Sequence, residues 1–106
     1  VQEMIGKGLL KGAIVMKQDK VVLADFAEGS ATVMTALALK LNSYQRSLAK
    51  NLGQHPPSSF VAIGDKTVIV IMKNRMLDSI LFIGKDRFKD AVEQWKAKMK
   101  AFEAAG

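Results

Sequence analysis

Two runs of consecutive apolar residues limit the possible folds of this 106-residue chain more than any other feature. They occupy positions 67–72 (TVIVIM) and 79–83 (SILFI). A strand that is exposed on one face alternates apolar and polar residues, whereas a strand buried on both faces is apolar at successive positions. The sequence therefore predicts a sheet with helices on both sides, which belong either to the same chain or to a partner.

The rest of the chain supplies a hairpin, an edge strand and the helices of such a sheet. Residues 13–16 and 21–26 are apolar runs separated by a polar turn, which is typical of a β-hairpin. Residues 60–63 predict a short strand at an edge, which would pair with its counterpart in a second copy. Helical signals mark residues 1–10, the segment after Gly29-Ser30 and the segment after Asp86. We expect one α+β domain, residues 1–106, with one five-stranded, mainly antiparallel sheet and the order α-β-β-α-β-β-β-α.

The central helix is apolar over more of its surface than one contact with a sheet requires. A stripe repeats every three or four residues through Val33, Leu37, Leu41, Tyr44, Leu48 and Leu52. The opposite side is uncharged over residues 31–39 and polar from Lys40 onward. Because a helix that is apolar around its circumference is covered on more than one side, we expect a homodimer. The predicted interface comprises Val33, Met34, Leu37, Ala38, Leu39, Phe60 and Ala62.

Composition excludes several classes of function. The chain has no cysteine and one histidine, which excludes a disulfide scaffold, a thiolate metal site and a multi-histidine site. The net charge of +6 is carried mostly by dispersed lysines, so nucleic-acid binding is not expected. No apolar run reaches the roughly 20 residues of a membrane-spanning helix, and no signal-peptide pattern is present. We therefore expect a cytoplasmic protein without a membrane span.

No group of residues predicts a catalytic site. His55 lies in a proline-containing loop without a cysteine or a nucleophile motif to act on. Asp25 and Glu28 lie near the end of a strand and could form a pair, but nothing in the sequence distinguishes them from ordinary surface charges. Gly6, Gly8 and Gly12 precede a strand, whereas a phosphate-binding loop follows a strand and opens a helix. The sequence therefore predicts neither an enzyme nor a cofactor.

The element order resembles that of the roadblock/light-chain-seven superfamily, and the resemblance covers nearly the whole chain. The segments that carry it are residues 11–16 (KGAIVM) and 21–24 (VVLA), which resemble the family's opening hairpin, the Ala-rich helix after Gly29-Ser30, and the closing strands at 60–63, 68–71 and 80–83. The family often has Asp-Gly in its first turn, where this chain has Gln18-Asp19-Lys20.

This resemblance implies a non-enzymatic dimerisation platform. Family members form homo- or heterodimers in which the central helices pack together and the sheets join edge to edge. Prokaryotic members bind or regulate small Ras-like GTPases. We therefore expect a small GTPase or another protein as partner, contacted by the turn cations Lys73, Arg75, Lys85 and Arg87.

The alternative is a domain that senses or binds a small molecule, because α+β sheets covered by helices also hold ligand pockets. Polar side chains pointing into the core would favour this alternative. The candidates for such side chains are Tyr44, Thr67 and Ser79.

Overall fold

The computed structural model describes residues 2–18, 20–27, 29, 31–53, 59–73 and 77–105, with the backbone alone for 102–105. The predicted order of helices and strands is confirmed. The elements are α1 (Gln2–Gly6), β1 (Gly12–Lys17), β2 (Lys20–Phe26), α2 (Ala31–Asn51), β3 (Ser59–Ile63), β4 (Thr67–Lys73), β5 (Asp78–Gly84), a 3₁₀ turn (Lys85–Arg87) and α3 (Phe88–Ala105).

All five strands form one antiparallel sheet in the order β2-β1-β5-β4-β3. The strand β3 pairs only with β4 within the described residues, through Val61 opposite Val70, and so lies at an edge as predicted. The strand β5 is central, with β1 on one side and β4 on the other. The sheet therefore buries the two runs 67–72 and 79–83 in its interior and leaves the short strand β3 outside.

The sheet is buried on both faces, as the two apolar runs predict. Leu81 and Ile83 of β5 point to a core shared with α1 and α3, in which Trp95 is 1% exposed. Ile80 and Phe82 point to a second core shared with α2, in which Ala38 is buried. Successive residues of β5 thus enter different cores, which requires the strand to be apolar at every position.

Two helix ends differ from the sequence prediction. The first helix is shorter than residues 1–10, because Gly8 adopts a positive φ of 75°. The backbone N–H groups of Gly8 and Leu9 then donate to the carbonyls of Ile5 and Met4, each at 3.0 Å, which closes the helix. The last helix begins at Phe88 and not directly after Asp86, because Asp86 lies inside the 3₁₀ turn that precedes the helix.

Among the described helices, none is both long enough and apolar enough to cross a bilayer.

Candidate functional site

The face of α2 that contacts the sheet is small and polar. Ala38, Asn42, Gln45 and Ala49 are its buried residues. Gln45 Nε2 donates to Asn42 Oδ1 at 3.1 Å, whereas Gln45 Oε1 is buried without a hydrogen-bond partner in the described part of the chain. A long helix usually packs its most apolar side against the sheet. In α2 the side that contacts the sheet is instead partly polar, so apolar packing along it is limited.

The apolar face of α2 lies on the flank of the helix and is mostly exposed. We define the α2 stripe as Val33, Leu37, Leu41, Tyr44 and Leu48. Leu41 is half-buried, and the other four side chains are 56–69% exposed. At about 100° per residue these five positions fall within about 80° of the helix circumference. The 4-3-4 spacing from Leu37 to Leu48 is that of the a and d positions along which two helices pack.

The residues of α2 predicted for the dimer interface do not share one face. Val33 and Leu37 belong to the exposed α2 stripe. Met34 is half-buried and Ala38 is 3% exposed in the core beneath the helix, so neither offers an open contact surface in this packing. Leu39 lies on the other flank, about 160° around the helix from Leu37. Ala38 thus lies on the side of α2 that the sheet covers.

The edge strand β3 continues the open surface on the same side of the sheet. Phe60 and Ala62 are half-buried, and Phe60 packs against the core beneath α2. Among the strands, α2 makes its most extensive contact with β2, at the end of the sheet farthest from β3. Because β3 pairs on one side only among the described strands, its outward backbone groups can pair with a strand of a second copy. The α2 stripe and the β3 edge therefore combine exposed apolar side chains with unpaired strand backbone.

The cations predicted to contact a partner lie at opposite ends of the sheet. Lys73 is the last residue of β4, whereas Lys85 and Arg87 follow β5 in the 3₁₀ turn. Because β4 and β5 are antiparallel and Thr67 lies opposite Gly84, about 20 Å of strand separates the two positions. Arg75 lies outside the described residues, as do His55 and Glu28. The structure does not bring Lys73 together with Lys85 and Arg87.

The three polar candidates for the core have different environments. Ser79 is fully buried, and its Oγ has no hydrogen-bond partner among the described residues. Thr67 is half-buried, and its Oγ1 accepts a hydrogen bond from Lys11 Nζ at 2.8 Å. The prediction for Tyr44 was wrong, because its side chain is 69% exposed in the α2 stripe. Ser79 is thus the one member of this set that points fully into the core.

Comparison with solved structures decides the fold. MglB from Myxococcus xanthus superposes with a TM-score of 0.60 at 12% identity, covering 87% of this chain and 85% of that one. The chain has the roadblock/LC7-type fold. The gliding protein MglB from Thermus thermophilus gives 0.62 at 13% identity, covering 87% and 77%. A roadblock/LC7 domain from Streptomyces avermitilis gives 0.58 at 18% identity, covering 87% of each. No family model and no curated protein matches the sequence.

Sequence reasoning missed a cavity beside α3, on the face of the sheet opposite α2. The cavity has a volume of about 550 Å³, and residues of β3, β4 and α3 line it. Its α3 side includes Val92 and Met99, which lie seven residues apart and therefore share one face of the helix. Periodicity shows which side of a helix faces the sheet, but it does not show whether helix and sheet are in full contact.

Proposed function

We propose that this protein is a non-enzymatic homodimeric platform that binds a partner protein, with a small Ras-like GTPase as the expected partner. The observation that carries the proposal is the outward-facing α2 stripe. Four of the ten large apolar side chains that are exposed in the described residues belong to this stripe. A contiguous exposed apolar surface of this kind marks an interaction site.

A second copy of the chain fits this surface for geometric reasons. The stripe from Val33 to Leu48 is about 22 Å long at 1.5 Å per residue, and it carries no charged side chain. A two-fold axis near its centre would place the stripe of one protomer against the same stripe of the other. The same axis can bring the two β3 edges together, so that sheet backbone and helix side chains contribute to one interface. A standard protein interface buries about 800 Å² of each partner, and here a helix seam of about four turns and the five-residue strand β3 would contribute together.

The choice of a small GTPase as the partner is supported by the resemblance to the roadblock superfamily and by the roadblock-type fold shared with MglB. The α2 stripe contains no acid, base or nucleophile other than the Tyr44 hydroxyl. A platform that binds a GTPase needs a rigid surface, because the GTPase itself can position and stabilise the transferring phosphoryl group. The bound platform would act through the conformation of its partner rather than through chemistry of its own.

Dimerisation through the stripe is tested by placing a charge on it. We expect Leu37→Glu and Leu48→Glu to convert a dimer into a folded monomer, because each would bury an unpaired carboxylate in the seam. Ser43→Glu is the matched control, since Ser43 is exposed on the same helix about 120° from Leu37. Light scattering at tens of micromolar gives the mass of each variant. A monomeric wild type, or a dimer that tolerates both stripe variants, would contradict the proposal.

The partner is identified by a pull-down: the protein is immobilised, and an extract of the native cell is passed over it after the GTPases in the extract have been loaded with GTP or GDP. Because the cations lie at opposite ends of the sheet, they are reversed separately, as Lys73→Glu and as Lys85→Glu with Arg87→Glu. We expect the wild type to retain a small GTPase in one nucleotide state and one of the two variants to lose it. Failure of the wild-type dimer to retain any GTPase would exclude this class of partner while leaving the dimer intact.

A further inference from the structure

The cavity beside α3 differs in shape and charge from the α2 stripe. It lies between the sheet and the helix, on the opposite face, and its volume of about 550 Å³ is within the range of about 300–1,000 Å³ typical of small-molecule sites. The α2 stripe is a surface ridge without charge, whereas this cavity is concave and includes cationic residues. The two features therefore suit different occupants, although β3 borders both the cavity and the proposed dimer seam.

One end of the cavity is apolar. Phe88 and Val92, on the first turns of α3, are half-buried there, and Val61 and Val70 face them from the edge of the sheet. The indole of Trp95 forms part of the wall and is itself 1% exposed. This end offers apolar surface on several sides and suits a hydrocarbon chain.

The other end is cationic. Lys96 and Lys100 lie one turn apart on α3, and both are exposed at the cavity. Ser59, the first residue of β3, adds a hydroxyl at the sheet side. Phe88 and Lys100 are about 18 Å apart along the helix axis at 1.5 Å per residue, so the polarity changes along the length of the groove. None of the described residues that line it is acidic.

We propose that this cavity binds a single-chain amphipathic anion of the fatty-acid class. Its hydrocarbon tail lies between Val61 and Val92, and its carboxylate lies near Lys96 and Lys100. The gradient from apolar to cationic fixes this orientation, because the reverse would desolvate the carboxylate among apolar side chains. The charge complementarity comes from three lysines that line the groove, Lys96 and Lys100 of α3 and Lys73 at the end of β4.

Trp95 provides the measurement, because it is the only tryptophan of the chain and lies in the cavity wall. Its emission is followed during titration with octanoate, decanoate and dodecanoate, each below its micelle concentration, with calorimetry as an independent readout. We expect saturable binding of one ligand per chain, which becomes about fourfold tighter for each methylene added until the tail fills the cavity. Decanol serves as the uncharged ligand of equal tail length.

Three variants separate the head from the tail. Lys96→Gln with Lys100→Gln should weaken decanoate binding about tenfold, as expected for two partly exposed ion pairs, and leave decanol binding unchanged. Lys89→Gln with Lys98→Gln removes the same charge from exposed positions of α3 that do not line the cavity, and should change neither affinity. Val61→Phe adds volume at an exposed position of the mouth and should weaken both ligands. Circular dichroism verifies that each variant is folded.

Any of three outcomes overturns the proposal. The first is the absence of a saturable response to every carboxylate, and the second is equal binding of decanoate and decanol with no effect of the two lysines. The third is binding to vesicles of anionic phospholipid without binding to the free carboxylates, which would assign the lysines to a membrane surface.

Discussion

Gly12 occupies the one position of β1 where two aromatic side chains meet across the sheet. It lies opposite Phe26 of β2 and opposite Phe82 of β5. The two rings approach edge to face, with centroids 5.2 Å apart. A Cβ atom at residue 12 would overlap the Phe26 ring and lie 2.7 Å from its Cε1 atom. Only glycine therefore leaves space for this aromatic pair, which closes the core beneath α2.

We expect Gly12→Ala to lower the free energy of unfolding by about 1–3 kcal/mol, because the ring must move out of a packed core. Phe26→Leu should recover part of this loss in the double variant, as a double-mutant cycle by chemical denaturation would show. Gly6→Ala is the control, since a Cβ there meets nothing within 4 Å. Equal stability of Gly12→Ala and the wild type would contradict the close approach.

At the scale of elements, the sequence predicted which segments are helices and strands better than it predicted which way they face. Consecutive apolar residues in β4 and β5 are compatible with only one environment, burial on both faces, and the two strands are buried in this way. The stripe of α2 is compatible with two environments, because an apolar helix face can pack on a sheet or on a second helix. The orientation of the helix could have been inferred from Asn42 and Gln45. These polar residues lie between stripe residues along the chain, and they are buried against the sheet.

The edge strand β3 allows its two sides to be tested separately. Adjacent residues of a strand direct their N–H groups to opposite sides, so one of Val61 and Ala62 faces β4 and the other faces outward. We expect one of the two variants, Val61→Pro or Ala62→Pro, to lose a backbone hydrogen bond to β4 and to have a lower melting temperature than the wild type. The other should keep its circular dichroism spectrum and become monomeric, because it loses a donor of the seam. If both variants fold and both remain dimeric, β3 does not join the two sheets.

At the scale of the whole molecule, the sequence predicted the layered architecture but not the distribution of charge. Lys73, Lys85 and Arg87 are close in sequence around one strand, which suggested a single contact surface. The antiparallel pairing of β4 with β5 instead places Lys73 at one end of the sheet and the other two at the opposite end. The cavity beside α3 was equally inaccessible to sequence, because it depends on the separation of a helix from the strands it covers.

Cysteine cross-linking measures whether the α2 stripe packs against the same stripe of a second copy. The natural chain contains no cysteine, so each introduced thiol reports on its own position. Single cysteines are placed at Leu37, Leu41, Tyr44 and Leu48 in the stripe, and at Ser43 and Ser47 beside it. A disulfide forms only where the two Cα atoms lie within about 7 Å across the two-fold axis.

We predict that mild oxidation converts at least one stripe variant into a covalent dimer of twice the 11.6 kDa chain mass, while the Ser43 and Ser47 variants remain monomeric on a denaturing gel. Cross-linking at Ser43 or Ser47 in preference to the stripe, or at none of the six positions, would contradict the account.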